Sequence, residues 1–168
     1  YLNQTKYDNV ESLALTGSTA YQANGNALGN VINGNTGNNL IYALGGNDTL
    51  DGGADNDYMG GGNDDDWVTG GDGNDWVDAG IGDDWVYADA GNDTLEGGNG
   101  NDVLDFTAAG TDPLKINLAT GTASSTALGT TNVGATGVDL ISGFENVIAG
   151  GGNDSIVGSD LSNSITGG

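Results

Sequence analysis

Cysteine and histidine are both absent from the 168 residues, and proline occurs once. Without a thiol or an imidazole the chain has neither cysteine- nor histidine-based catalysis, and no ligands for metals that demand sulfur or nitrogen. Basic residues number 2, Lys6 and Lys115, against 24 acids, for a formal net charge of −22. Nucleic acid and anionic membrane surfaces are therefore not expected as partners, because both call for cationic protein surface. No apolar run approaches the ~18 residues of a membrane-crossing helix, so membrane insertion is not expected either. The 33 glycines speak against helical architecture, since each costs about 1 kcal/mol relative to alanine inside a helix. So much like charge opposes compaction unless cations neutralise it, and without them the composition is that of a disordered chain. The chain starts without methionine and stops at Gly167-Gly168, where a further repeat would begin, so it reads as a piece of a longer protein.

What is present is a period of nine. From Ala43 to Asp105 the chain divides into ALGGNDTLD, GGADNDYMG, GGNDDDWVT, GGDGNDWVD, AGIGDDWVY, ADAGNDTLE and GGNGNDVLD, with no slip in register. Aspartate stands sixth in every unit: Asp48, Asp57, Asp66, Asp75, Asp84, Asp93 and Asp102. An apolar residue stands eighth: Leu50, Met59, Val68, Val77, Val86, Leu95 and Leu104. Two units precede these in the same frame, GNALGNVIN and GNTGNNLIY, with Asn30 and Asn39 sixth and Ile32 and Ile41 eighth. Their uncharged sixth places predict weak or absent metal binding, with the asparagines satisfying backbone groups and Leu28 plugging its turn.

Glycine reaches positive φ without steric cost, so the first six places of a unit predict a turn and the last three a short strand. The eighth side chain then points inward, and the seventh and ninth outward. Two units complete a coil, and units n and n+2 stack about 4.8 Å apart. That stacking brings sixth-place carboxylates together along one edge, where they repel unless a cation lies between them. With turn carbonyls nearby, the donors are all hard oxygens, which suits Ca²⁺ and its about 6–8 oxygen ligands. Turn preference alone favours aspartate and glycine, but it does not account for a fixed frame with an apolar residue two places later. Inward side chains form only two thin columns. Their burial cannot offset the entropy of ordering the repeats, so folding is expected to depend on bound calcium.

The pattern G-G-x-G-x-D-x-U-x resembles the repeats-in-toxin (RTX) family of calcium-binding proteins. The resemblance implies an all-β fold, a right-handed parallel β-roll (a β-solenoid of nonapeptide repeats). It also implies the ligand set: each Ca²⁺ takes the aspartate and the second- and fourth-place carbonyls of one unit, with the aspartate and the first- and third-place carbonyls of unit n+2. Carried onto this chain, Asp48 and Asp66 share an ion with the carbonyls of Leu44, Gly46, Gly61 and Asn63. Asp57 and Asp75 do so with Gly53, Asp55, Gly70 and Asp72. Asp66 and Asp84 are joined by Gly62, Asp64, Ala79 and Ile81, and Asp75 and Asp93 by Gly71, Gly73, Ala88 and Ala90. Asp84 and Asp102 complete a fifth full site with Gly80, Gly82, Gly97 and Asn99. Half-sites are expected at the ends, at Asp102 or at the Asn30/Asp48 and Asn39/Asp57 pairs. The pattern is broken where Asp55 and Asp64 replace fourth-place glycine, where Asp89 replaces a second-place glycine, and at Ala43-Leu44. Asp154, in AGGGNDSIV, would need a partner beyond the end of the chain. Family membership further implies a bacterial protein exported by type I secretion and folding outside the cell or at its surface.

Four segments follow from the pattern. Residues 1–24 are a strand-rich lead-in or cap, with alternation over Val10–Leu15. Residues 25–105 are the repeat roll. Residues 106–139 form an irregular Thr/Gly/Ala-rich insertion with one strand at Leu114–Leu118 and a long connection. Residues 140–168 start a second repeat block, whose GFENVIAGG echoes NVESLALTG near the start. Seventh-place aromatics should line the outside, with Trp67 and Trp85 on one sheet, Tyr87 beside them, and Tyr58 and Trp76 on the other. They serve either cross-strand packing or a stacking stripe for a polysaccharide or protein partner. Every carboxylate pair is accounted for by the repeat, Glu11 and Glu145 apart, so no catalytic pair stands out and the chain is not expected to be an enzyme. Three roles suit such a block: a folding and secretion module, a polysaccharide-binding module, or a calcium-dependent surface-layer or adhesin element.

Overall fold

The computed structural model describes residues 11–125 and 137–167. The first ten residues of the lead-in, residues 126–136 of the Thr/Gly/Ala-rich connection and Gly168 lie outside the described residues. Among the described residues, seventeen strands, numbered in chain order, divide between two sheets. One holds β1 (Ser12–Ala14), β3 (Val31–Asn35), β5 (Thr49–Ala54), β7 (Trp67–Asp72), β9 (Trp85–Tyr87), β11 (Val103–Asp105), β15 (Asn146–Ile148) and β17 (Ser164–Thr166). The other holds β2 (Gln22–Asn24), β4 (Leu40–Gly45), β6 (Tyr58–Asn63), β8 (Trp76–Ile81), β10 (Thr94–Asn99), β14 (Val138–Ser142), β13 (Thr122–Ser125), β12 (Leu114–Asn117) and β16 (Ser155–Val157). Successive strands alternate between sheets through the repeats, and each pairs in parallel with the strand eighteen residues away, as in Leu50↔Val68 and Met59↔Val77. This is a parallel β-roll.

Eighth-place side chains fill the interior. Ile32, Leu50, Val68, Val86 and Leu104 form one buried column, and Ile41, Met59, Val77 and Leu95 the other. Strands are longer than a three-residue unit tail predicts, because β5 to β8 each continue through the first three places of the following unit. The cause is alternation: with the eighth residue inward and the ninth outward, the first place points inward again. Ala43, Ala79 and Ala88 there are fully buried. Only places four to six remain as the turn.

The lead-in belongs to the same stack, with β1 pairing with β3 and β2 with β4. Asn30 and Asn39 do satisfy backbone groups, accepting from the Asn26 and Asn35 N–H through Oδ1 at 2.9 and 2.8 Å. Leu28 is no plug: it is 47% exposed, because its turn faces outward.

The insertion differs from the single strand expected. A 3-10 turn at Thr107–Ala109 precedes an antiparallel hairpin of β12 and β13. Its second strand carries Thr122-Ala123-Ser124-Ser125, small residues without a strong alternating pattern. That hairpin occupies a layer of the second sheet, with β13 antiparallel to β14 and β12 parallel to β16. Beyond it β14 sits on β10 and β15 on β11, so the stack resumes without the nine-residue frame.

Second places take left-handed backbone in most units, with φ from 101° at Gly71 to 122° at Gly62. Leu44 is the bulky exception at φ 86°. A side chain in this region costs about 1–2 kcal/mol, and Leu44 is 47% exposed, so it recovers little by burial. Leu44→Gly should therefore stabilise the calcium-saturated chain by up to about 1 kcal/mol, after the extra chain entropy of glycine is set against the strain. A raised thermal midpoint checks this, and a lowered one would contradict it.

Candidate metal centres

The sixth-place aspartates build a ladder along each edge of the roll. All seven are 0–3% exposed. Each points its Oδ1 at the backbone N–H of the sixth residue one coil earlier. Asn30 and Asn39 donate to Asp48 and Asp57 at 2.6 Å. Asp48, Asp57 and Asp66 donate to Asp66, Asp75 and Asp84 at 2.8 Å. Asp75 and Asp84 donate to Asp93 and Asp102 at 2.9 Å. The second oxygen is different. Oδ2 of Asp48, Asp57, Asp66, Asp75, Asp84, Asp93 and Asp102 is buried and accepts no hydrogen bond. A buried carboxylate oxygen without a partner is costly and rare, and here it recurs once per unit.

Main-chain oxygens gather at the same places. A Cβ placed on Gly52 would lie 2.5 Å from both Asp57 Oδ2 and Gly70 O, so these oxygens are separated by no more than twice that. A Cβ on Gly61 would collide in the same way with Asp66 Oδ2 and Ala79 O. The carbonyls of Gly53, Gly62, Gly80, Asp55 and Asp64 each abut the glycine one coil later, so they face along the stack. Third-place carbonyls are partly engaged: Ala90 O and Asn99 O accept from the Gly73 and Gly82 N–H at 3.0 Å, which leaves each a second lone pair. The donors are carboxylate and carbonyl oxygens alone, the set a hard divalent cation takes. The residues present thus fit Ca²⁺.

Electrostatics points the same way. Burial, opposed by the single backbone N–H bond, pushes the carboxyls of Asp48, Asp57, Asp84 and Asp102 up to about 6. Asp75 is pushed up to about 7 by burial, with Asp93, Asp89 and Asp57 adding like charge. Asp66 goes furthest, to about 8, being buried and flanked by Asp48 and Asp84. Asp93 is raised by burial. The column of like charge is therefore uncomfortable as it stands.

Asp89, a departure from the repeat, adds a carboxylate to one edge. Its Oδ2 accepts from the Gly71 N–H at 2.6 Å and Thr69 Oγ1 at 2.8 Å. With Asp75 and Asp93 it forms a group in which one carboxylate oxygen from each lies within 4.8 Å of the others. Asp154 is half-buried, and its neighbour is not a later unit: its Oδ1 accepts from Leu114 N at 3.0 Å, and its Oδ2 is also without a partner. The hairpin supplies that layer, and it brings no carboxylate to the sixth position.

Two acids outside the frame take sixth-place positions. Asp93 N donates to Asp139 Oδ1 at 3.1 Å, and Asp102 N to Glu145 Oε2 at 3.0 Å. Gly137-x-Asp139-x-Ile141 and Gly143-x-Glu145-x-Val147 keep the fourth–sixth–eighth spacing in six-residue units, a signal that a search for period nine passes over. Fifth places also form a ladder, with Asn74 N bonding Asn56 Oδ1 and Asn92 N bonding Asn74 Oδ1, both at 2.8 Å.

The seventh- and ninth-place aromatic residues stand on the outer faces. Trp67 and Trp85 stack with centroids 5.4 Å apart, and Tyr87 lies 6.1 and 6.2 Å from them. On the other sheet Tyr58 lies 4.1 Å from Trp76, and Tyr42 extends the row at 5.9 Å. Such contacts stabilise neighbouring strands.

Edges of buried, stacked carboxylates on a parallel β-roll define a calcium-binding solenoid. The family profile of the RTX calcium-binding nonapeptide repeat matches four copies, over residues 24–59, 60–95, 78–108 and 140–168. The chain belongs to that family, whose repeat roll is a structural calcium-binding module. No curated protein matches the chain.

Raised carboxyl pKa values set the sign of the pH dependence. A carboxyl whose folded value lies above the unfolded value of about 3.9 penalises the folded state once ionised. That penalty is absent below about pH 4 and is fully felt above about pH 8, the highest of the folded values. In chelator, β-structure read by circular dichroism should therefore increase as pH falls from 8 to 5. A signal that is flat, or that grows with pH, would contradict this.

Proposed function

We propose that the chain is a calcium-dependent folding module of a larger secreted bacterial protein, ordered by ions shared between sixth-place aspartates one coil apart. The observation that supports this best is the buried Oδ2 left without a partner in each of seven consecutive repeats. Five full sites are assigned to Asp48/Asp66, Asp66/Asp84, Asp84/Asp102, Asp57/Asp75 and Asp75/Asp93, with the turn carbonyls named above as further ligands. Bound calcium supplies positive charge and coordination to oxygens that otherwise have neither. The protein's own part is to hold those oxygens in register: the Oδ1–backbone bonds fix each carboxylate, and left-handed glycines turn the carbonyls along the stack. Linkage then makes binding free energy folding free energy. A chain of this kind stays unfolded where calcium is scarce, suits type I export, and folds at the cell surface or beyond it.

The test is circular dichroism of the chain taken from chelator through a Ca²⁺ titration, with Mg²⁺ as control. Calcium should induce the β-rich spectrum cooperatively, and Mg²⁺ should do so poorly. Asp66→Asn, which touches two of the assigned sites, should move the midpoint severalfold to higher calcium. A spectrum already β-rich in chelator and unchanged by calcium would remove the proposal.

A second reading, a polysaccharide contact, rests on a cleft of about 260 Å³ lined by Tyr42 and Tyr58, by Gly60, Gly61 and Gly62, and by Asp78. A lining of aromatic rings and bare backbone suits the apolar face of a sugar ring, and the net charge of −22 favours a neutral one. Calcium-loaded protein should show a change in tryptophan emission on titration with neutral polysaccharides, and Tyr58→Ala should lose it. No response from the unaltered chain would end this reading.

A further inference from the structure

The nine-residue frame stops at Asp105, yet the last aspartate in it is placed like the others. Asp102 is fully buried, and its Oδ2 has no partner. In the frame its upper neighbour would be residue 120, but Thr120 is an exposed residue at the hairpin between β12 and β13. The coil above is instead the six-residue unit 143–148, paired through Val103↔Asn146 and Leu104↔Val147. That unit lacks three of the nine places and with them the usual first-place carbonyl. Gly143 makes up the loss. A Cβ placed on Gly97 would lie 3.0 Å from Asp102 Oδ2 and would collide with Gly143 O, just as one on Gly52 meets Asp57 Oδ2 and Gly70 O. Left-handed backbone at Gly143, φ 70°, belongs to this turn. Glu145 then takes the aspartate's part, its Oε2 accepting from Asp102 N at 3.0 Å as Asp Oδ1 does elsewhere.

We propose that Asp102 Oδ2, the Gly143 carbonyl and the Glu145 carboxylate form a further calcium site, one that fastens residues 143–148 to the end of the repeat block. It rests on the calcium reading above and extends it past the repeats to a glutamate that the nonapeptide pattern does not contain. The site makes calcium a fastener between two parts of the chain as well as the ordering agent within one.

Glu145→Gln tests it, because the amide oxygen still accepts from Asp102 N while the charge is gone. Bound calcium per chain is counted by equilibrium dialysis with atomic emission, and backbone protection is followed by hydrogen exchange in saturating calcium. The expected result is one ion fewer per chain and faster exchange in Asn146–Ile148 and Ser164–Thr166, with Thr49–Asn99 protected as before. Asn146→Ala is the control. It removes side-chain bonds to Asn101 Oδ1 and to the main-chain oxygen of Asp102 at 3.2 and 3.1 Å, loosening the same strand while every proposed ligand atom stays in place, and should keep the full count. An unchanged count in Glu145→Gln overturns the proposal, and so does an equal loss in Asn146→Ala. If the unaltered chain binds no calcium, it is the general reading that fails; binding with an indifferent Glu145→Gln sinks this site alone.

Discussion

Carboxylates stacked one coil apart govern everything else in this molecule. A parallel roll with an eighteen-residue coil forces identical positions into register, and the sixth position is an acid seven times in succession. Each acid is half-satisfied: one oxygen holds the coil below through a backbone N–H, and the other is buried without a partner. Hydrogen bonding within the chain cannot complete the arrangement, because there are almost no cationic side chains and the nearest groups are more carboxylates and carbonyls. The protein has built a receptor for hard positive charge along both edges.

The thinness of the core makes that charge decisive. Two columns of Val, Leu, Ile and Met side chains, joined by a few first-place alanines, are the apolar interior of the repeats. Glycine, needed for left-handed turns and close coil-to-coil contact, raises the entropy lost on ordering. Burial and a side-chain ladder therefore define the shape, while on the proposed function counter-charge decides whether it is populated. Raised carboxyl pKa values express the same fact: protons are the only alternative neutraliser within the chain's reach.

Much of this was legible because the period is strict. Coil length, the inward columns and the edge position of the aspartates all follow from nine-residue spacing and the alternation of a strand. Strand length was less legible, since the inward first place is occupied by glycine or alanine and leaves no hydrophobic mark. The hairpin of β12 and β13 was half visible: Leu114-Lys115-Ile116-Asn117 alternates, whereas Thr122–Ser125 is small and polar and is held as a strand between β12 and β14. Asp139 and Glu145 escaped because their units have six residues, so they keep the spacing of place four to place eight and lose the period. Leu28 misled for a simpler reason, since a leucine in a glycine-rich turn suggests burial and this turn faces solvent.

The central claim is that divalent ions lie between consecutive carboxylates of each edge. Crystals grown with calcium and measured at long wavelength test it directly through anomalous scattering. The account predicts discrete anomalous peaks between Asp48 and Asp66, Asp66 and Asp84, Asp84 and Asp102, Asp57 and Asp75, and Asp75 and Asp93, each within ligand distance of both Oδ2 atoms. Featureless anomalous maps, with the Oδ2 atoms turned outward to ordinary water, would contradict it.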